Sequence, residues 1–232
     1  MGKIVLITGA YRGLGLETAK GLSAKGFHVV ISSRKKEEGL KAVQIIQKSG
    51  GSASFLFIDV SNQASIKKAA EEFGKEFDHL DVLINNAAIF PDKKPGLLEA
   101  SAENLLQAFT TNTLGAIWMI QSFYPHLKKN KGARIINISS GLGSLAEMED
   151  YAPCYSISKT ALNAVTRQFS LTLGREGIAV NSVCPGWCRT EMGGANATRS
   201  VEEGAAGIIW LAVDAPQNFT GKFVRDGKEI KW

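Results

Sequence analysis

The stretch that decides the fold is Lys3-Ile4-Val5-Leu6-Ile7-Thr8-Gly9-Ala10-Tyr11-Arg12-Gly13-Leu14-Gly15. Residues 4–7 are wholly apolar, the pattern of a strand buried on both faces inside a parallel sheet. The run stops at Thr8-Gly9, and a helix is expected over about 14–25. Glycines let the intervening turn bend sharply and let its backbone approach a pyrophosphate closely. The helix would aim its first amides and partial positive charge at that anion. A glycine triplet alone indicates only a strand-to-helix turn. Set between a first apolar strand and a helix, it points to dinucleotide binding.

Working outward, short apolar runs recur at 27–31, 54–58, 82–84, 134–138 and 178–183, with a last candidate at 221–224. Between them lie stretches with helical spacing. Residues 63–77 align Ile66, Ala69, Ala70, Phe73 and Phe77; residues 101–127 and 155–174 carry similar stripes. Strand and helix in unbroken alternation predict an α/β chain with right-handed crossovers. The expectation is a single Rossmann-type, doubly wound domain over 1–232, with a parallel sheet of six or seven strands in the order 3-2-1-4-5-6. A cofactor half spans about 1–140, and a catalytic and substrate half about 141–232.

Composition narrows the function. The 232 residues are 44% hydrophobic and 21% charged, enough apolar content for a sizeable core and too much for a disordered chain. The net charge of +5 is scattered in pairs such as Lys35-Lys36 and Lys128-Lys129, which read as solvated helix faces and not as a nucleic-acid patch. No apolar stretch approaches a membrane span, and the first apolar run is too short for a signal peptide. Three cysteines imply no disulfide framework and favour a reducing, cytoplasmic location. They read as small buried apolar residues. His28, His79 and His126 lack the mutual spacing of a metal site or a triad, so no metal is expected.

The end of the second strand selects the dinucleotide. It reads Ile31-Ser32-Ser33-Arg34-Lys35, with no carboxylate before Glu37. A carboxylate there would bond the adenosine ribose and repel a 2′-phosphate. Arg34 instead offers a bidentate grip on that phosphate, and Arg12 approaches it from the glycine turn. The pair favours NADP(H) over NAD(H).

The chemistry lies further along. The run 134–138 leads to Ser139-Ser140, and fourteen residues separate Ser140 from Tyr155. Tyr155 and Lys159 are four apart on an expected helix, hence on one face. A cation about 5 Å from the phenol, at an effective dielectric of about 20, favours the phenolate by roughly 3 kcal/mol. That lowers the phenol by roughly two pK units, toward neutral pH. Tyr155 then serves as proton donor to a carbonyl oxygen that Ser140 holds. Ser139 alternates to the opposite strand face. Tyr151 precedes Tyr155 by four and so has no lysine of its own.

The spacing G-x-x-x-G-x-G after Thr8, followed by Ser140 and Tyr155-x-x-x-Lys159, resembles the short-chain dehydrogenase/reductase family, and the likeness runs the length of the chain. The resemblance implies cofactor contacts by Gly9, Gly13, Leu14 and Gly15. It implies further that Asp59-Val60 holds the adenine ring, although Asp59 also reads as a helix cap near Ser61. Asn85-Asn86-Ala87-Ala88 matches the family's Asn-Asn-Ala-Gly segment, with Ala88 replacing glycine. Lys159 would bind the nicotinamide ribose, Pro185-Gly186 would lie under the nicotinamide, and Thr190 would bond its carboxamide. Asn112 would complete the catalytic set by holding a water that links Lys159 to solvent. Trp187 either lines the substrate pocket or packs under its loop.

The tail from Gly221 to Trp232 is similar to that of the carbonyl reductases. The resemblance therefore implies NADPH-dependent reduction of aldehydes or ketones. A 3-oxoacyl or hydroxysteroid-type enzyme and a non-catalytic dinucleotide-binding protein are the alternatives. The chain lacks the insertion that animal monomeric members carry between the catalytic Ser and Tyr. A homodimer or homotetramer is thus expected. Residues 193–200, small and polar, predict an open pocket that accepts varied aldehydes and ketones, including bulky aromatic ones.

Overall fold

The computed structural model describes residues 2–92 and 96–232. Its strands are β1 (Ile4–Thr8), β2 (His28–Ser33), β3 (Ser52–Phe57), β4 (Val82–Asn85), β5 (Arg134–Ile138), β6 (Ala179–Val183), β7 (Phe223–Arg225) and β8 (Lys228–Glu229). The helices are α1 (Gly13–Ala24), α2 (Lys36–Lys48), α3 (Gln63–Glu76), α4 (Ala102–Phe109), α5 (Gly115–Leu127), α6 (Pro153–Leu173) and α7 (Val201–Val213). The sheet order is β3-β2-β1-β4-β5-β6-β7-β8. β1 to β7 are mutually parallel, and β8 returns antiparallel to β7.

The apolar reading of β1 has a direct cause. Val5 and Ile7 face a core built with Leu22 of α1, Ile46 of α2 and Leu211 of α7. Ile4 and Leu6 face the other core, with Phe73 of α3 and Phe123 of α5. Both faces of the strand are thus covered, which leaves no position for a polar residue over 4–7.

Two features depart from the expected pattern. The sheet has eight strands, because Asp226 and Gly227 both adopt positive φ (52° and 72°) and fold the tail into a hairpin. The helical run 101–127 is also not continuous. A π-helical turn, Thr110–Leu114, separates α4 from α5. Such turns insert a residue and re-aim neighbouring side chains, often at functional sites. Here Asn112 and Thr113 turn inward.

A polar chain crosses the ends of the central strands. Asn85 Nδ2 donates to Asn137 Oδ1 at 2.8 Å, and Asn137 Nδ2 donates to Thr166 Oγ1 on α6 at 2.8 Å. Thr166 and Ser182 share a further bond at 2.7 Å. These buried groups dock α6 onto β4, β5 and β6 in one register. Substitution of Asn137 by Ala leaves Asn85 Nδ2 without that acceptor, so urea unfolding should show a loss of about 1–3 kcal/mol with an unchanged m value.

Candidate active site

A cleft of about 1090 Å³ runs across the carboxyl ends of the strands. Gly9, Arg12, Gly13, Leu14 and Gly15 reach it from the β1–α1 turn, and Arg34 from the end of β2. Asp59 and Val60 follow β3, while Asn86 and Ala87 follow β4. Ser140, Tyr155 and Lys159 close one end; Pro185, Gly186 and Thr190 line the side after β6. Of the site residues expected from sequence, Asn112 alone lies behind the cleft wall and does not line it.

The dinucleotide end is built from backbone. Thr8 Oγ1 accepts from the amides of Asn86 (2.9 Å) and Ala87 (3.0 Å), tying the turn after β1 to the turn after β4. A Cβ on Gly15 would stand 2.6 Å from Asn86 Nδ2 and 2.9 Å from Ala10 Cα, so only glycine permits this approach. The first turn of α1 receives no side-chain cap, leaving its amides for a ligand. Ala88 keeps a negative φ, so the alanine in place of the family's glycine is unstrained.

At the far end, the Tyr11 ring lies under Arg12 (5.0 Å) and Lys35 (5.7 Å), and Arg34 lines the same end. These cations make the end of β2 electropositive, and Lys35 joins the two arginines read from sequence. Arg12 is paired with Glu191 across the cleft mouth. Both side chains are well exposed, and such pairs contribute about 0–1 kcal/mol, so a phosphate can displace the carboxylate at little cost. Asp59 Oδ1 accepts from Ser61 N (3.0 Å) and Ser61 Oγ (2.6 Å), while Asn62 caps α3. Asp59 therefore stiffens its own turn as well as lining the cleft. These groups fit a 2′-phosphorylated dinucleotide.

The reacting end is held by α6. Its N-cap residue, Ala152, has φ 51° and no capping side chain. The cap comes instead from Asp92, whose carboxylate accepts from Cys154 N (2.9 Å) and Tyr155 N (3.0 Å). No local sequence signal announces a cap sixty residues away. On the opposite side, Gly143 packs so tightly that a Cβ would lie 2.8 Å from Lys159 Cβ. Thr160 Oγ1 and Asn163 Nδ2 both donate to the Gly143 carbonyl at 3.1 Å.

Asn112 is 2% exposed. Its Oδ1 accepts from Ile89 N (2.8 Å), and its Nδ2 donates to Ile89 O (2.9 Å) and Ser158 Oγ (3.0 Å). Both amide protons are thus spent on protein. The side chain pins the loop after β4 against α6.

Ser140 and Tyr155 line the same end of the cleft, where the Ser140 hydroxyl favours the ionised phenol. Lys159 Nζ stands 5.5 Å from the Tyr155 ring centre and donates to Ile138 O at 2.7 Å. The electrostatics reverse the sequence expectation. Burial pushes the Tyr155 phenol above its usual 10; Cys184 adds to the rise, and the Ser140 hydroxyl opposes it. Burial also pulls Lys159 down to about 7. The attraction across 5.5 Å amounts to roughly 3 kcal/mol, whereas desolvating one ion costs several, so burial prevails. Ser139 points its hydroxyl toward Lys159 O at 3.5 Å, away from Ser140.

Phe90, Glu147, Glu149 and Arg225 are among the cleft residues that escaped the sequence reading. Phe90 packs on Tyr155 at 4.8 Å and on Tyr151 at 6.1 Å, so Tyr151 forms part of an aromatic wall although it has no lysine partner. Glu147 and Glu149 line the rim, and Arg225 enters from β7. Trp187 is 54% exposed and lines the cleft, with Nε1 bonded to Gly193 O at 2.8 Å. The three cysteines are free, and among the described residues no group of metal-ligating side chains is present. Among them, too, no helix is long and apolar enough to cross a membrane.

The short chain dehydrogenase family model matches residues 3–200. A short-chain dehydrogenase of Penicillium roqueforti is 34% identical, covering 96% of this chain and 94% of its own. The NADPH-bound carbonyl reductase from chicken fatty liver superposes with a TM-score of 0.90 at 30% identity, with 99% of each chain covered. The carbonyl reductase Sniffer of Drosophila melanogaster gives 0.89 at 31% identity, covering all of both chains. The chain belongs to the short-chain dehydrogenase family.

The burial of Lys159 makes a testable prediction. An unfolded lysine binds its proton up to pH 10.5, the buried one only up to about 7. Between those values the unfolded chain holds the extra proton, so stability rises with pH across that window. In dinucleotide-free protein, Lys159→Met should raise Tm by roughly 5 °C at pH 7, and the gain should shrink toward pH 9. Thermal melts at several pH values check this.

Proposed function

We propose that this short-chain dehydrogenase reduces aldehyde or ketone carbonyls to alcohols with NADP(H), Tyr155 acting as proton donor. The observation that carries the reading is the gathering of Ser140, Tyr155 and a buried Lys159 in the cleft that the glycine turn enters. When bound, NADPH supplies the hydride. Gly9, Gly13 and Gly15 would leave room for its pyrophosphate, Arg12 and Arg34 would hold the 2′-phosphate with Lys35 nearby over the Tyr11 ring, and Thr190 would bond the carboxamide.

A raised phenol keeps its proton at neutral pH, which suits an acid. Ser140 and Tyr155 then grip the carbonyl oxygen together, and Tyr155 transfers its proton as charge develops there. Lys159 in its protonated form stabilises the phenolate left behind, by roughly 3 kcal/mol at this separation. Asn112 and Asp92 act as positioning residues, holding α6 against the loop after β4. Residues about 1–140 form the cofactor half and 141–232 the catalytic and substrate half.

The Phe90–Tyr151 wall, and Trp187 elsewhere on the cleft lining, favour aromatic or otherwise bulky carbonyls. Leu106 and Phe109 on α4 and Leu171 on α6 leave apolar surface exposed, which supports a homodimer or homotetramer. The three free thiols are in keeping with a cytoplasmic setting.

Tyr155→Phe should lower reductive turnover at least about 100-fold while the dissociation constant for NADPH, followed by fluorescence, stays within about twofold. Arg34→Asp should cut the NADPH-over-NADH ratio of kcat/KM by about tenfold or more, as steady-state kinetics with both dinucleotides would read.

A further inference from the structure

We infer that Arg225 makes the substrate end of the cleft selective for carbonyl compounds bearing a carboxylate beside the reacting carbon. The inference rests on the proposed reductase activity and names its substrate class.

Arg225 ends β7, on the ligand side of the sheet. Val224 packs in the core with α7, so the alternation along the strand turns Arg225 to the face that carries α6. Its guanidinium enters the cleft close to the catalytic pair. A Cβ on Gly141, the residue after Ser140, would lie 2.7 Å from Arg225 Nη2. Cys184, whose sulfur raises the Tyr155 phenol, is the group that Arg225 touches, through Nε at 3.4 Å and Nη2 at 3.2 Å.

A thiol is a weak acceptor, and a guanidinium has five N–H donors. Among the described residues no carboxylate pairs with Arg225. Asp226 beside it is held by Arg199, at 2.6 and 2.9 Å. The other half-buried arginines are satisfied by oxygen: Arg134 by Leu211 O and Ala215 O, Arg199 by the Asp226 carboxylate and Glu203 O. Arg225 alone among these offers unspent donors to the space where a substrate sits. Its planar fork matches a carboxylate in two parallel bonds. Glu147 and Glu149 lie on the exposed rim, where water screens them, and leave the inner end positive.

The test compares benzoylformate with its methyl ester, which share ring and ketone and differ in charge. Wild-type enzyme with NADPH should favour the acid in kcat/KM by about tenfold or more. Arg225→Met should raise KM for the acid by about tenfold and leave the ester within about twofold, so the ester rate certifies an intact fold. Arg225→Lys should recover part of the loss. Preference of the wild type for the ester, or equal damage to both substrates in Arg225→Met, overturns the inference and spares the proposed activity. Failure of the wild type to consume NADPH with either compound or with neutral aromatic aldehydes overturns both.

Discussion

The site depends on one act of burial. Lys159, 1% exposed, sits beneath the end of β5 with its amine bonded to the Ile138 carbonyl. Such a group loses most of its hydration, and that loss outweighs its attraction to the neighbouring phenol. The resulting charge balance, with Lys159 near 7 and Tyr155 raised, leaves the proton on the phenol where the proposed reduction needs it. The surrounding fold can be read as the means of keeping α6 where this burial is complete. Gly143 lets it approach, Asp92 caps it, Asn112 and Thr113 tie it to the π turn, and Thr166 docks it on β5 and β6.

The two ends of the cleft use charge in opposite ways. Around β2 the cations Arg12, Arg34 and Lys35 stand near water, where they can exchange a weak carboxylate pair for a phosphate. Around β5 and β6 the charges are few and buried, so each one shapes the chemistry. Arg225 lies between these regimes, half-buried with a sulfur for company.

The fold was legible because burial on both sheet faces writes continuous apolar runs, and β1 and β5 are plain examples. Tyr155, Lys159 and Ser140 were legible by spacing, since four residues on a helix define a face. What escaped was what spacing does not carry. The cap from Asp92, the insertion at Thr110–Leu114 and the approach of Arg225 to Gly141 are contacts between distant segments. The Asp226-Gly227 hairpin was different. Its turn signal stood in the sequence, but the strands on either side are too short to show a period. The direction of the Tyr155 shift was misread for a related reason: sequence gives the distance of a neighbouring charge, whereas burial is a property of the whole fold.

The most direct measurement is the titration of Lys159 itself, by NMR of lysines labelled at Cε in dinucleotide-free protein, with Lys159→Met to assign the signal. Burial of the amine sets the expected midpoint at about 7. A midpoint near the 10.5 of a solvated lysine would mean that the amine is not desolvated, and would contradict the electrostatic basis of the site.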